Sequence, residues 1–174
     1  TVTTARHISN SYAGLSFSDL VAQVKVPVLI GNTVTASATL EIMEQGIDGI
    51  FVGVGPGAAC TTRDVTGMGV PQVSATMECA AARDEFFART GKYVQIITDG
   101  GIRTGGDVNK ALAAGADAVM IGTPFAQTFE APGKGFNWGM ASPHPALPRG
   151  TRLNVGASAS LEQVLFGPSH RTDG

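Results

Sequence analysis

Tyr93-Val-Gln-Ile-Ile97 running into Thr98-Asp99-Gly100-Gly101, then Ala118-Val-Met-Ile121 running into Gly122-Thr123, decide the fold. Each is a short apolar run that stops on glycine, as a buried strand does on entering a tight turn. Between them Val108, Ala111 and Leu112 recur at helical spacing and predict an inward face. Asp107 falls where a carboxylate meets the positive end of that helix. Apolar strands alternating with amphipathic helices predict a parallel sheet covered by helices.

Working outward, the same unit occurs upstream. Val26-Pro-Val-Leu-Ile30 is a β run closed by Gly31-Asn32, followed by Ala36, Leu40 and Met43 at helical spacing, with Thr35 an N-cap and Gly46 a stop. Gly49-Ile-Phe-Val52 is the next strand, and the helix after it carries Cys79, Ala82 and Phe86 on one stripe. Four strand-then-helix units result, with no repeat evident beyond that alternation. Two architectures compete. Gly53-x-Gly55-x-x-Ala58 with Glu78 downstream formally matches a dinucleotide fingerprint of a doubly wound sheet. A fingerprint helix begins at once, however, and Gly67, Gly69 and Pro71 break this one. A (β/α)8 TIM barrel explains more, because Gly100-Gly101 and Gly122-Thr123 follow consecutive late strands, where such barrels bind phosphate.

The 174 residues predict one domain; with 43% apolar content, a formal charge of -2 and a pI near 5.8, there is no basic excess for nucleic acid. No apolar run spans a bilayer and no signal peptide opens the chain, so a cytoplasmic protein without membrane partners is expected. Its two cysteines make no disulfide framework and show no zinc spacing. From about residue 130 to 156 the chain is dense in proline (Pro132, Pro143, Pro145, Pro148) and holds the only tryptophan, Trp138, with Arg149 and Arg152. That stretch reads as a long loop or flap, and long loops usually serve a function.

Chemistry concentrates in Gly53-Val-Gly-Pro-Gly-Ala-Ala-Cys60-Thr-Thr-Arg63-Asp-Val-Thr-Gly67-Met-Gly-Val-Pro-Gln72. Exposed glycine backbone, two hydroxyls and an arginine around one thiol are what a reactive cysteine needs: close approach and a stabilised thiolate. Cys79, on an apolar helical stripe, reads as a core thiol.

These segments resemble the IMP dehydrogenase/GMP reductase family. The matches are Gly55-Pro-Gly-Ala-Ala-Cys60-Thr-Thr-Arg63, Gly67-Met-Gly-Val-Pro-Gln72, Asp99-Gly-Gly-Ile-Arg103 and Ala118-Val-Met-Ile-Gly122, joined by Gly31-Asn32-Thr-Val-Thr35 and Glu130-Ala-Pro-Gly133. Trp138-Gly-Met140 and Pro148-Arg-Gly-Thr-Arg152 look most like the IMP-dehydrogenase-related subfamily without CBS domains, and no CBS insert is visible. The resemblance implies that the four units are strands 5 to 8 of the barrel, Thr1 falling just after the fourth. A half-barrel leaves open edges and apolar surface, so further segments or another chain are expected to complete it.

The resemblance further implies that Cys60 attacks C2 of IMP, that hydride passes to NAD, and that water hydrolyses the covalent intermediate to XMP. Thr62 would contact the reacting purine or water, or else satisfy loop backbone. Asp99 would hold the ribose hydroxyls, its alternative being a turn aspartate bonded to nearby backbone. Gly101, Gly122 and Thr123 would bind the phosphate, Met140 the base, and Asn32 and Gly53 the cofactor. Carbonyls of Gly55, Gly57 and Cys60 match a potassium site. Ala58 replaces a family serine, and Gly150 stands where the family's base pair has tyrosine, leaving Arg149, Arg152 and His144 as alternative bases. Three functions stay open: an IMP dehydrogenase, a GMP reductase using NADPH, and a purine-nucleotide-binding barrel without turnover. A homo-oligomer, tetramer or octamer, is expected.

Overall fold

The computed structural model describes residues 2–3, 16–60, 62–138 and 152–167. Five strands form one parallel sheet: β1 (Val2–Thr3), β2 (Leu29–Thr33), β3 (Gly49–Val52), β4 (Gln95–Asp99) and β5 (Ala118–Met120). Their order in space is their order in the chain. A doubly wound sheet reverses order at a switch point; an unbroken sequential run is the wall of a (β/α)8 barrel. The sheet has one strand more than the four units read from sequence, because Val2–Thr3 pairs with Ile30 and Gly31.

Helices α1 (Phe17–Gln23), α2 (Ala36–Met43) and α4 (Gln72–Thr90) cover one face, α1 and the five-residue α3 (Thr62–Thr66) not being apparent in the sequence. Ile30, Ile50, Val52 and Ile96 are fully buried with Met43 and Cys79, and Phe86 is buried beside them. Alternation along a strand turns Phe51, Ile97 and Asp99 to the opposite face, together with Ala118 and Met120, their counterparts on β5. Met120 is 45% exposed there.

Thr35 caps α2 as expected, its hydroxyl accepting from the Ala38 N–H. Glu78 of α4 accepts from the Ala36 N–H at 2.9 Å, so the carboxylate that would complete a dinucleotide fingerprint is a helix cap instead. Helix α5 (Gly105–Ala113) begins with a Thr104–Asp107 capping box, but buries only Ala111 with Val108 packed beside it. Leu112, expected inward, is 45% exposed. Strand starts also shift: Val26 is exposed before Leu29 begins β2, and Tyr93 leaves the sheet to lie edge-on to Phe87 beneath the Arg83 guanidinium.

One repeat does exist. Gly46-Ile-Asp48-Gly-Ile-Phe-Val-Gly53 and Gly115-Ala-Asp117-Ala-Val-Met-Ile-Gly122 share a pattern and make the same bonds. Asp48 and Asp117 each accept, at 2.8 Å, the N–H of Val28 and Ile96 at the start of the preceding strand. Lys92 donates to the Gly46 carbonyl, and Arg83 to that of Gly115. After β5 come α6 (Thr123–Ala126) and an antiparallel ribbon, β6 (Phe136–Trp138) with β7 (Arg152–Asn154), then α7 (Leu161–Phe166). The expected flap is thus rooted on a two-stranded stem.

Candidate active site

The site grows from the carboxyl ends of β3, β4 and β5. At the end of β3, Gly53 has φ +137, and a Cβ there would stand 2.5 Å from the Asp99 carbonyl oxygen and 2.7 Å from Gln72 Nε2. Only glycine fits, and the room it leaves holds the Gln72 amide. Sequence reasoning placed Gly53 with a cofactor; here it faces the Gln72 side chain. The chain then turns outward, the Cys60 N–H donating to the Gly57 carbonyl at 3.0 Å.

Cys60 is exposed at the end of that turn, and its thiol donates to Thr62 Oγ1 at 3.1 Å. Thr62 opens α3, where its own carbonyl accepts from the Thr66 hydroxyl. Thr62, expected at the purine or water or on loop backbone, thus has its hydroxyl on the thiol two residues before it. Arg63 departs from expectation. Its Nε donates to the Val54 carbonyl and its Nη2 to that of Val70, at 3.3 and 2.8 Å. The cation expected to stabilise a thiolate instead fastens the outgoing and returning arms of the loop. Both arms are otherwise irregular, and their carbonyls need donors.

Asp99 ends β4 with its Oδ2 accepting from Asn32 Nδ2 at 2.8 Å. Asn32 therefore orients the carboxylate of a strand two places away. Beyond it Gly100 has φ +92, and a Cβ there would meet Pro56 Cγ at 2.9 Å and the Gly57 nitrogen at 3.0 Å. The Asp99 loop and the Cys60 loop are thus in contact, with glycine allowing the approach. Gly101 and Gly122 each lie two residues beyond a paired position, Asp99 opposite Met120, and so leave the sheet at one level. Thr123 is the first residue of α6, and a Cβ on Gly122 would stand 4.0 Å from Asn137 Nδ2 on β6. Met140, Arg149 and His144 lie outside the described residues; Arg152 belongs to β7.

Of the expected potassium ligands, the Gly57 carbonyl accepts from the Cys60 N–H, which leaves its second lone pair. The carbonyls of Gly55, Gly57 and Cys60 are three oxygens, where a large cation draws on a shell of about six to eight in comparable sites. The described residues do not complete a potassium site. Among them no cluster of three His, Cys, Asp or Glu could hold a metal either.

Cys79 contrasts with Cys60. It is fully buried, Thr39 Oγ1 donates to its sulfur at 3.2 Å, and burial pushes its thiol pKa up. It is a core thiol, as its stripe implied. Two features escaped the sequence: the Asn32–Asp99 pair, which no spacing reveals, and Gln72. A glutamine directly after proline at a helix start was a visible signal, because an amide is a poor choice for an apolar interior.

A family model described as IMP dehydrogenase / GMP reductase domain matches residues 2–142. An uncharacterised oxidoreductase of Mycolicibacterium smegmatis is 42% identical over 173 residues, 97% of this chain and 46% of that protein. An inosine-5'-monophosphate dehydrogenase of Aquifex aeolicus is 53% identical over 110 residues, 63% of this chain and 21% of that one. The crystal structure of an IMP dehydrogenase/GMP reductase-like protein from Corynebacterium glutamicum superposes with a TM-score of 0.81 at 39% identity, over 99% of this chain and 46% of its own. The chain spans about half the length of the curated relatives that it matches along most of its own length. Among the described residues no helix is long and apolar enough to cross a membrane.

Proposed function

The chain belongs to the IMP dehydrogenase/GMP reductase family, and from that premise we propose that it carries the nucleophile half of an NAD-dependent IMP dehydrogenase. The observation that supports this best is the exposed Cys60 thiol, bonded to Thr62 on a loop that touches the Asp99 loop. A binding barrel has no need of a thiol presented in that way.

In this reading Asp99 accepts from the two ribose hydroxyls, its carboxylate steadied by Asn32. The contact between the Asp99 and Cys60 loops supports a purine held at one and attacked from the other. Thr62 takes the thiol hydrogen bond; the thiolate, once the thiol proton has left to solvent, adds to C2. As the C–S bond forms, the C2=N3 π bond breaks and its pair moves onto N3, from where it re-forms the double bond when hydride leaves. NAD, when bound, supplies the acceptor for the hydride that leaves C2. A C2=N3 thioimidate on Cys60 results. Water then adds at C2, the C–S bond breaks, and the electron pair returns to Cys60 as XMP leaves. Asn32, whose amide lies on the Asp99 carboxylate, is the residue we place nearest the nicotinamide. Gly53 has the Gln72 amide against its Cα, so its part at the cofactor would be through backbone atoms. Gly101, Gly122 and Thr123 form the phosphate end. We further propose a cytoplasmic homo-oligomer, with the flap carrying Arg149 as the residue that activates water.

The intact protein supplied with IMP and NAD, or with GMP and NADPH, separates the alternatives by nicotinamide absorbance. A rise with IMP and NAD supports the dehydrogenase. NADPH oxidation with GMP alone would replace it by the reductase. Nucleotide binding without either would leave a non-catalytic barrel.

A further inference from the structure

We propose that Gln72 is a positioning residue whose single amide couples the thiol loop to the nucleotide loop. Its Nε2 donates to the Val52 carbonyl at 2.6 Å and to the Asp99 carbonyl at 3.2 Å. Those are the last carbonyls of β3 and β4, and the next residues, Gly53 and Gly100, begin the two loops. Paired strands diverge past the end of their ladder, which here stops at Val52 opposite Thr98. One side chain bridges that divergence.

Three further observations make the bridge rigid. The amide occupies the room left by the missing Cβ of Gly53. Its orientation is fixed, because a flip would set an oxygen against two carbonyl oxygens. The base of the strut is held too: Thr76 donates to the Gln72 carbonyl at 2.8 Å and shares a second 2.8 Å bond with Thr98 of β4. The remaining atom, Oε1, is buried with no partner among the described residues. A half-satisfied buried amide is costly, so a glutamine here is explained by what its nitrogen does rather than by packing.

The inference deepens the proposed function and rests on it for its consequence. With ribose held at Asp99 and the nucleophile at Cys60, the spacing of the two loops sets the approach of sulfur to C2. Losing the bridge would leave ribose contacts in place while misaligning the attack, which lowers kcat more than it raises KM.

The test uses Gln72→Met, which keeps bulk and removes both donors, and Gln72→Glu, in the intact protein. Hydrogen–deuterium exchange of the segments 53–60 and 99–103 is followed first, without substrate. Exchange in both should accelerate together by about tenfold, the size of one lost hydrogen bond. Acceleration confined to the first turn of α4, or to one loop only, would overturn the coupling. In turnover with IMP and NAD, kcat should fall by roughly tenfold or more while KM changes by less than about threefold. A KM rise that accounts for the whole loss would also overturn it. Gln72→Glu should match Gln72→Met at neutral pH and recover part of its kcat, relative to wild type, at a pH where its carboxyl is protonated and can donate to Val52. If the wild type turns over neither nucleotide, the functional reading falls, and the exchange result still decides the coupling.

Discussion

Asp117→Ala tests how the end of the sheet remote from the site is held, and the repeat supplies its own control. Asp117 accepts from the Ile96 N–H, from Arg83 Nη1 at 3.0 Å and from the Tyr93 hydroxyl at 2.5 Å. The Arg83 side chain is only 8% exposed. Without the carboxylate the Ile96 amide loses its partner, which costs about 1–2 kcal/mol. Arg83 keeps Asp84 and the Gly115 carbonyl, so its loss is about 1–2 kcal/mol rather than the full cost of an isolated buried charge. Tyr93 is half exposed and turns to water at little cost. The total is about 2–4 kcal/mol. Asp48→Ala removes the equivalent bond to Val28, but its cation, Lys92, is 4.0 Å away with both side chains well exposed. It should lose about 1–2 kcal/mol. Urea unfolding of the intact variants at neutral pH measures both. Equal losses at the two positions would refute the argument that burial of Arg83 makes the second repeat's carboxylate the more important.

Cys60→Ser should lower turnover by about three orders of magnitude or more while leaving nucleotide affinity largely intact; ordinary turnover would dismiss covalent catalysis. Cys79→Ser should only destabilise, by about 1–2 kcal/mol, and iodoacetamide should label Cys60 well before Cys79 in the folded protein, as peptide mapping will show. Asn32→Ala, which frees the Asp99 carboxylate, should raise the nucleotide KM by about threefold to tenfold, the value of one charge-assisted hydrogen bond; an unchanged KM would return Asp99 to a turn-forming role. Burial raises the Cys79 pKa, and the hydrogen bond to Asp117 raises that of Tyr93. Each acid therefore stabilises the fold fully below its unfolded pKa and loses that contribution as pH rises through its folded value. Stability should fall above about pH 9, and a urea midpoint constant between pH 8 and 11 would contradict the sign.

What the sequence showed well was whatever is periodic or local. The apolar run of Gly49–Val52, the Thr35 cap, the burial of Cys79, and the closeness of Cys60 to Thr62 all follow from residues near one another in the chain. Boundaries were less legible, because tertiary partners set them: Tyr93 has strand propensity but is held outside the sheet by Arg83 and Asp117. Leu112 was misplaced because the inward face of α5 is narrow, closing over Val108 and Ala111 alone.

Direction was least legible of all. Arg63 stands three residues from the thiol, and nothing in its spacing says that its guanidinium reaches back to Val54 and across to Val70. The glycines near it are part of the reason. Gly55 and Gly69 are so close that a Cβ on either would come within 2.6 Å of the arginine side chain. Glycine read in isolation predicts a turn, whereas here two glycines also make a channel for a cation. The same holds for Gly53 and Gln72. In both cases the residue that fills the space is distant enough in sequence, and the bond it makes is to backbone rather than to another side chain, so no complementary pair of residue types marks it. Because those backbone bonds fix the two arms of the thiol loop, the placement of the Cys60 thiol depends on residues that are neither its chain neighbours nor its hydrogen-bond partners.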